Sequence, residues 1–485
     1  MNIDLDLRNL AEAFPAGFSA EQKARAQTLF LKKLSLEAHR FYGGKLQVLP
    51  KCGLYAFPWF NVWYTPGVSS VSTAIRDDNG RSFSLSSRGN LVAVVSDSTR
   101  VLGDGDCTPP GGLGVMEGKA MLMKYLGGVD AVPLCVDSRG PDGRHDSGRL
   151  IQFVEMVQHS FGAINLEDIS QPNCYRVLDT LRESCDIPVW HDDAQGTACV
   201  TLAALINALK LADKKIGAAR IVLLGAGAAN TAIARLIMDA GGDPAKLTVF
   251  DSAGALHAGR DDLRRDSANY RKWELCERTN PGRTGTIAEA ARGADVLIAL
   301  STPGPDTVKP AWIGSMAKKA IVFACANPVP EIWPYAAKEA GAFIVATGRG
   351  DFPNQVNNSL CFPGILKGAL LVRAKKISDA MTIRCARAIA DFSERRGITP
   401  ESIIADMTDA DLFAREAADT AAAAIEEGLA RLPLSWDNVY DQARADIAGA
   451  RRITAELEER GFIPRPPAEM LSRALEEAIA ETRRT

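Results

Sequence analysis

A chain of 485 residues, 46% hydrophobic and 24% charged, lies inside the globular range and is long enough for about three units of roughly 150 residues each. Lys and Arg total 56 against 59 Asp and Glu, a net charge of −3, which excludes the basic balance of a nucleic-acid or anionic-membrane binder, so an acidic substrate must be held by local groups. The opening MNIDLDLRNLAEAF has no basic region followed by an apolar run, and no uninterrupted apolar segment nears the roughly 18 residues of a spanning helix, so the expectation is a cytoplasmic protein with no membrane partner.

Ten cysteines are spread over the chain with no CxxC pair, which points to reduced, packed thiols rather than a disulfide framework or a zinc site. Residues 20–40 have helical apolar spacing, and KLQVLP (45–50) reads as a short strand ending at Pro50. The aromatic run Tyr55 to Tyr64 leads to Thr65-Pro66-Gly67. There Pro sets the first turn position and Gly accepts positive φ at the second, so a type II turn is expected beside Tyr64. LVAVVS after Asn90 has the continuous β-branched character of a buried strand, and it breaks into the Gly-rich GDGDCTPPGGLGVMEGK. The helix MEGKAMLMKYLGG and the strand AVPLCVD complete a βαβ-like unit.

From 219 to 346 the organisation is clearest. ARIVLLGAGAANTAIARLIMDAGG reads as strand, turn and helix, and KLTVFDS, ADVLIALS, KAIVFACANP and GAFIVATG as further strands alternating with helical or polar stretches. Such alternation specifies a parallel sheet covered on both faces. The fold class is therefore α/β: an N-terminal α/β domain over 1–212, a Rossmann-type doubly wound dinucleotide-binding domain over 213–375, and a helical C-terminal region over 376–485.

In the turn Gly225-Ala226-Gly227-Ala228-Ala229-Asn230 the glycines let backbone approach a pyrophosphate at a helix N-terminus. A lone GxG also serves as an ordinary tight βα turn, but Asp251 ends the next strand about 20 residues on, where an acid binds the adenosine ribose. Ser252 and Ala253 follow with no adjacent cation, which tilts the choice to NAD over NADP. Arg260, Arg264 or Arg265 could fold back onto the same pocket and weaken that tilt.

Two acidic pairs, Glu167-Asp168 and Asp192-Asp193, each follow an apolar stretch. Alone, either pair reads best as helix N-terminal capping. Brought together they would form an oxygen-only cage suited to Mg²⁺ or Mn²⁺. The five histidines are isolated in sequence, which argues against zinc beside His191.

Read in order, YTPGV, GNLVAVVSDSTRVLGDGD, GVMEGKA, INLEDI, HDDAQGTA, LLGAGAA, FACANPVPE and ATGRGDFPNQVNNSLCFPG resemble the short bacterial form of malic enzyme, from about residue 35 to about 430. The resemblance implies oxidative decarboxylation of L-malate or a close 2-hydroxy diacid to pyruvate and CO₂, with reduction of NAD (NADP possible), in a homodimer. It implies Tyr64 as general acid and Lys119 as general base, the lysine needing a pKa lowered by an adjacent cation. It also implies Glu167, Asp168 and Asp193 as metal ligands, with Asp192 as a supporting acid. Arg100, Asn327 and Asn358 would touch substrate, and Gly225, Gly227, Ala228, Ala229, Asn230, Asp251 and Asn327 the nucleotide. The chain departs from the family pattern at Ser98, Asp104 and Thr108. Alternatives are another β-acidic 2-hydroxy acid, redox-neutral conversion of malate to lactate, or a catalytically silent nucleotide-binding member.

Overall fold

The computed structural model describes residues 3–102 and 104–484; Gly103, first glycine of GDGD, lies outside the described residues. Its contacts divide the chain into two compact units: residues up to 50 with those from 451 onward, and residues 51–450.

In the first unit the helix Ala20–Tyr42 is opened by a capping box between Ser19 and Gln22 and closed by Gly43 at φ 69°. Its buried face, Ala26 and Phe30, packs with Ala474, Leu475 and Ala478 of the helix Ala468–Arg484. Lys33 reaches Glu481 at 3.0 Å across the same pair. The segment 45–50 is not a strand. Val48 is 94% exposed, and among the described residues no strand pairs with this segment, so its backbone is left to water rather than to a ladder.

The second unit holds two sheets. In the first, β1 (Leu91–Ser96), β2 (Asp130–Cys135), β3 (Ala163–Leu166) and β4 (Val189–His191) are all parallel in the order β2-β1-β3-β4. The β-branched run Val92 to Val95 is fully buried, as a strand covered on both faces requires. In the second sheet, β5 (Ile221–Leu224), β6 (Leu247–Asp251), β7 (Gly254–Ala255), β8 (Val296–Ala299), β9 (Ile321–Ala324) and β10 (Ile344–Thr347) run in the order β10-β9-β8-β5-β6-β7. Only the two-residue β7, which sequence patterning passes over, is antiparallel. The chain leaves β5 toward β6 and returns on the other side with β8, so a crevice opens at the carboxyl ends of β5 and β8, where doubly wound sheets bind ligands.

The main core links the sheets to helices. The helix Thr197–Leu211 is buried nearly all round. With the turn before it, the stretch Asp192–Leu211 is long and apolar enough to cross a membrane, although the sequence pattern did not single it out. It is 78% buried inside the protein, as an all-round apolar helix of a large core should be. The helices Phe362–Leu371 and Ala410–Glu426 approach so closely that a Cβ on Gly368 would lie 2.3 Å from the Ala417 carbonyl oxygen.

The turn after Tyr64 differs from expectation. Thr65-Pro66 is cis and Gly67 is right-handed helical, φ −60°, so no type II turn forms. Glycine is needed there for closeness: a Cβ would meet the carbonyl oxygens of Asn61 and Val62 at 2.6 and 2.7 Å.

Two family departures acquire a physical reading. Ser98 and Thr108 stand at φ 59° and 63°, the left-handed region that glycine occupies freely and a β-branched residue resists. Thr108 is exposed and opens the helix Thr108–Gly127. Replacing Thr108 with Gly should raise unfolding stability by about 0.5–1 kcal/mol, the relieved strain exceeding the added unfolded-state entropy. Denaturant unfolding at constant m-value checks it, and a loss of stability would show that the threonine is unstrained.

Candidate active site

Parallel register decides where the acids meet. β3 and β4 pair with Leu166 opposite His191, so the residues after each strand, Glu167-Asp168 and Asp192-Asp193, emerge side by side at one edge. Ligand oxygens of Glu167, Asp168 and Asp193 lie within 4.8 Å of one another. The Asp168 N–H donates to Asp193 Oδ2 at 2.7 Å, and Asn165 Nδ2 donates to Glu167 Oε2 at 2.9 Å. Asp168 is held at φ 53°, a conformation non-glycine residues adopt at a cost that surrounding structure must sustain. Its Oδ2 is buried with no hydrogen-bond partner. A buried orphan oxygen among like charges is what a hard divalent cation would satisfy, and the all-oxygen donor set fits Mg²⁺ or Mn²⁺.

The electrostatics agree. Burial raises the Glu167 carboxyl well above its usual range, with the neighbouring aspartates adding to the shift and Lys119 opposing it. Burial, then Asp193, pushes Asp168 up to about 7.

Lys119 projects from the helix Thr108–Gly127. Its Nζ lies 3.0 Å from Glu167 Oε1, donates to Asp192 Oδ2, and sits 4.7 Å above the Phe362 ring. Burial disfavours its charge, but Asp192, Glu167 and Asp193 outweigh burial and raise its pKa. Three acids facing the amine therefore favour its charged form, and the depression that the resemblance implies depends on a cation that opposes them. Asp192, fully buried, also accepts from Trp190 Nε1 at 3.2 Å and from Asn358 Nδ2 at 3.2 Å. It begins a π-helical turn, Asp192–Gly196, where a Cβ on Gly196 would fall 2.0 Å from Asp192 Oδ1. Wide turns of this kind aim side chains inward at functional sites.

A cavity of about 680 Å³ runs from this cage to the Gly-rich turn. Arg100, Lys119, Glu167, Asp168, Asp193, Asn327 and Asn358 line it, with Gly227, Ala228 and Ala229 at its far side. Asp192 stands behind Lys119 rather than on the wall. Gly225, φ 98°, is not on the wall either: a Cβ there would lie 2.4 Å from the Leu300 carbonyl oxygen, so it serves close packing of the turn. Asn230 is fully buried, its Nδ2 donating to the carbonyls of Leu224 and Gly225 at 2.9 and 3.0 Å. It staples the turn where a third glycine is usual. Asp251 ends β6 beside the turn and is engaged by Arg260 through both oxygens at 3.0 Å. Asp104 does not line the cavity.

Sequence reasoning missed Glu331. Fully buried, it accepts from the Ser301 N–H at 2.7 Å and the Ala326 N–H at 3.0 Å, tying together the loops after β8 and β9. The segment FACANPVPE ends on it, but burial of a lone glutamate is invisible in sequence. His145, isolated in sequence, bridges Ser138 Oγ at 2.8 Å and Asp106 at 3.1 Å, and Ser138 in turn donates to Asp97.

Tyr64 is not brought to the cavity. It is 72% exposed, in a run with Tyr55, Phe57, Trp59, Phe60, Val62 and Trp63 that is itself largely open.

Known proteins place this arrangement. Residues 58–182 match the domain model described as malic enzyme, N-terminal domain, and residues 194–426 the model described as malic enzyme, NAD binding domain. The chain is 39% identical over 415 residues to the bifunctional malic/malolactic enzyme of Bacillus subtilis, spanning 85% of this chain and 98% of that one. It is 42% identical over 390 residues to the NAD-dependent malic enzyme of Geobacillus stearothermophilus, 80% and 78% of the two chains. The crystal structure of Entamoeba histolytica malic enzyme superposes with a TM-score of 0.98 at 60% identity, covering 99% of each chain. With both domain models, the order of motifs and a near-complete structural match in agreement, the chain belongs to the malic enzyme family.

Proposed function

We propose that this protein oxidatively decarboxylates L-malate to pyruvate and CO₂ with NAD⁺, using Mg²⁺ or Mn²⁺, as a cytoplasmic homodimer. The observation that carries the reading is Lys119 Nζ lying 3.0 Å from Glu167 within one cavity that ends on the Gly225–Asn230 turn, so a base, a carboxylate cage and a nucleotide turn face the same space. In this reading the metal-binding and catalytic residues come from residues 1–212, the nucleotide contacts from 213–375, and a helical region follows over 376–485.

Glu167, Asp168 and Asp193 would hold the divalent ion, which when bound supplies Lewis acidity to the C2 oxygen and to negative charge developing as CO₂ leaves. Arg100 offers a guanidinium to a substrate carboxylate. Lys119 accepts the C2 hydroxyl proton as hydride departs for the nicotinamide, once a cation opposes the acids that otherwise keep the amine charged. Asn358, anchored on Asp192 at 3.0 and 3.2 Å, and Asn327 after β9 orient substrate and nicotinamide. Because Tyr64 is exposed and off the cavity wall, protonation of C3 by Tyr64 requires a second copy to present its aromatic segment. An open apolar run of this kind marks a surface that is covered in the assembled protein. Malolactic turnover is a second reading, favoured by the bifunctional name of the Bacillus subtilis relative. It is distinguished by lactate formed without free NADH.

Activity with malate and NAD⁺ should vanish in EDTA and return with Mg²⁺; turnover undiminished by the chelator would refute the cage. In the ion-free protein Asp168, pushed up to about 7, holds a proton that an unfolded aspartate has already released. Its contribution to folded stability therefore falls as pH rises from about 4 to about 7. At fixed subsaturating Mg²⁺, the rise in Tm should accordingly be larger at pH 8 than at pH 6, since at pH 6 the ion must displace that proton; equal rises would count against Asp168 as a ligand.

Lys119→Ala and Tyr64→Phe should each lower kcat by about 10²–10⁴ while leaving the unfolding transition in place. If Tyr64 acts across the dimer, mixing the two variants under subunit exchange should restore about a quarter of parental activity, because random pairing makes half the dimers mixed and each then has one intact site. No recovery despite demonstrated exchange would place Tyr64 in the same chain's site.

A further inference from the structure

Around Asp251 the structure has built more than a ribose acceptor. Arg260, only 9% exposed, donates from Nη1 to Asp251 Oδ1 at 3.0 Å and to the Ala255 carbonyl at 3.4 Å, and from Nη2 to Asp251 Oδ2 at 3.0 Å. Its remaining donors go to Asp262: Nε to Oδ1 at 2.8 Å and Nη2 to Oδ2 at 2.7 Å. A guanidinium carries five N–H groups in a fixed fork, and here all five are committed. The cation that stands closest to the end of β6 is therefore fully spent on two carboxylates, and the trio keeps a net charge of −1. Arg260 holds the Asp262 carboxyl down at about 2, so Asp262 stays ionised across neutral pH. Asp251 Oδ1 also accepts from the Ala253 N–H at 2.9 Å, whereas among the described residues Oδ2 accepts from Arg260 alone, which leaves a carboxylate oxygen acceptor capacity to spare.

We propose that Asp262 is a specificity-determining positioning residue: by occupying Arg260 it keeps the end of β6 a ribose-hydroxyl acceptor and denies a 2′-phosphate its cation. The proposal rests on the reading that the Gly225–Asn230 turn holds a dinucleotide. A ribose hydroxyl can donate to the free lone pair of Asp251 Oδ2. A 2′-phosphate finds no uncommitted N–H on Arg260 and meets net negative charge. With Asp262 made neutral, Nε and one Nη2 proton lose their carboxylate, the trio becomes net zero, and the fork can turn toward a phosphate, for which its geometry is suited. Asp262, with a side chain 58% exposed, can be replaced without opening the core.

The test is equilibrium binding of NADH and NADPH to the full-length protein by nucleotide fluorescence, with AMP and 2′-phospho-AMP as competitors that report the adenosine end alone. The parental chain should bind NADH more tightly. Asp262→Asn should shift the NADH-to-NADPH Kd ratio toward NADPH by about tenfold, the scale of one new charge-assisted contact, with NADH affinity little changed. Asp262→Glu should keep the parental ratio. Adding Arg260→Gln to Asp262→Asn should erase the gain. An unchanged ratio in Asp262→Asn, a gain that persists without Arg260, or a parental chain that prefers NADPH would each overturn the proposal. Failure of the parental chain to bind either nucleotide would instead overturn the dinucleotide reading beneath it.

Discussion

Gathering four carboxylates at one edge, three of them buried and Asp193 only partly exposed, sets like charges against each other with little water to screen them, and most of the site is a response to that. Glu167, Asp168, Asp192 and Asp193 converge because β3 and β4 are parallel neighbours whose chains both continue past the same edge. Each oxygen must then find a counter-charge or a donor. Asn165 serves Glu167, Trp190 and Asn358 serve Asp192, and backbone N–H groups serve Asp168 and Asp193. Lys119 supplies the one ammonium in contact with two of the acids. The residual imbalance, seen in the upward displacement of Glu167 and Asp168 and in the orphan Asp168 Oδ2, is the physical basis for the proposed cation site.

The same field explains why Lys119 is not a free amine in this arrangement. Burial alone would lower its pKa, but three anions raise it, so basicity and metal occupancy are linked through one electrostatic balance. Asp192 is central to that link. It holds Lys119 on one side and Asn358 on the other, and it starts the π-helical turn that carries Asp193 to the cage. A change at Asp192 would disturb Lys119, Asn358 and Asp193 together, which makes its role inseparable from theirs by simple substitution.

The nucleotide half follows different physics. Its strand order reverses between the parallel neighbours β5 and β8, and loops after β8 and β9 are tied by Glu331 to form the opposite wall of the crevice. At the end of β6, two acids consume donors of one arginine, Arg260. The two halves meet in a single cavity.

Much of this was legible in the sequence. Strand and helix alternation from 219 to 346 predicted the doubly wound sheet because parallel strands must be continuously apolar and joined by crossovers. The acidic pairs and the Gly-rich turn could be singled out because each follows an apolar stretch, whereas Lys119, Asn327 and Asn358 were legible only through the resemblance of their motifs to malic enzyme. What pattern could not decide were contacts between residues far apart in the chain. KLQVLP has strand propensity, but no neighbouring strand pairs with it; Gly67 is needed for close packing rather than for positive φ; Asn230 and Gly225 shape the turn rather than the cavity wall. Tyr64 sits in an unmistakable motif, yet its exposure depends on how a whole aromatic segment packs. Residue types and their order determined the chemistry available to this protein. Tertiary structure alone decided the protonation of Lys119, the commitment of Arg260 and the position of Tyr64, because charge, donor saturation and burial are set by neighbours in space.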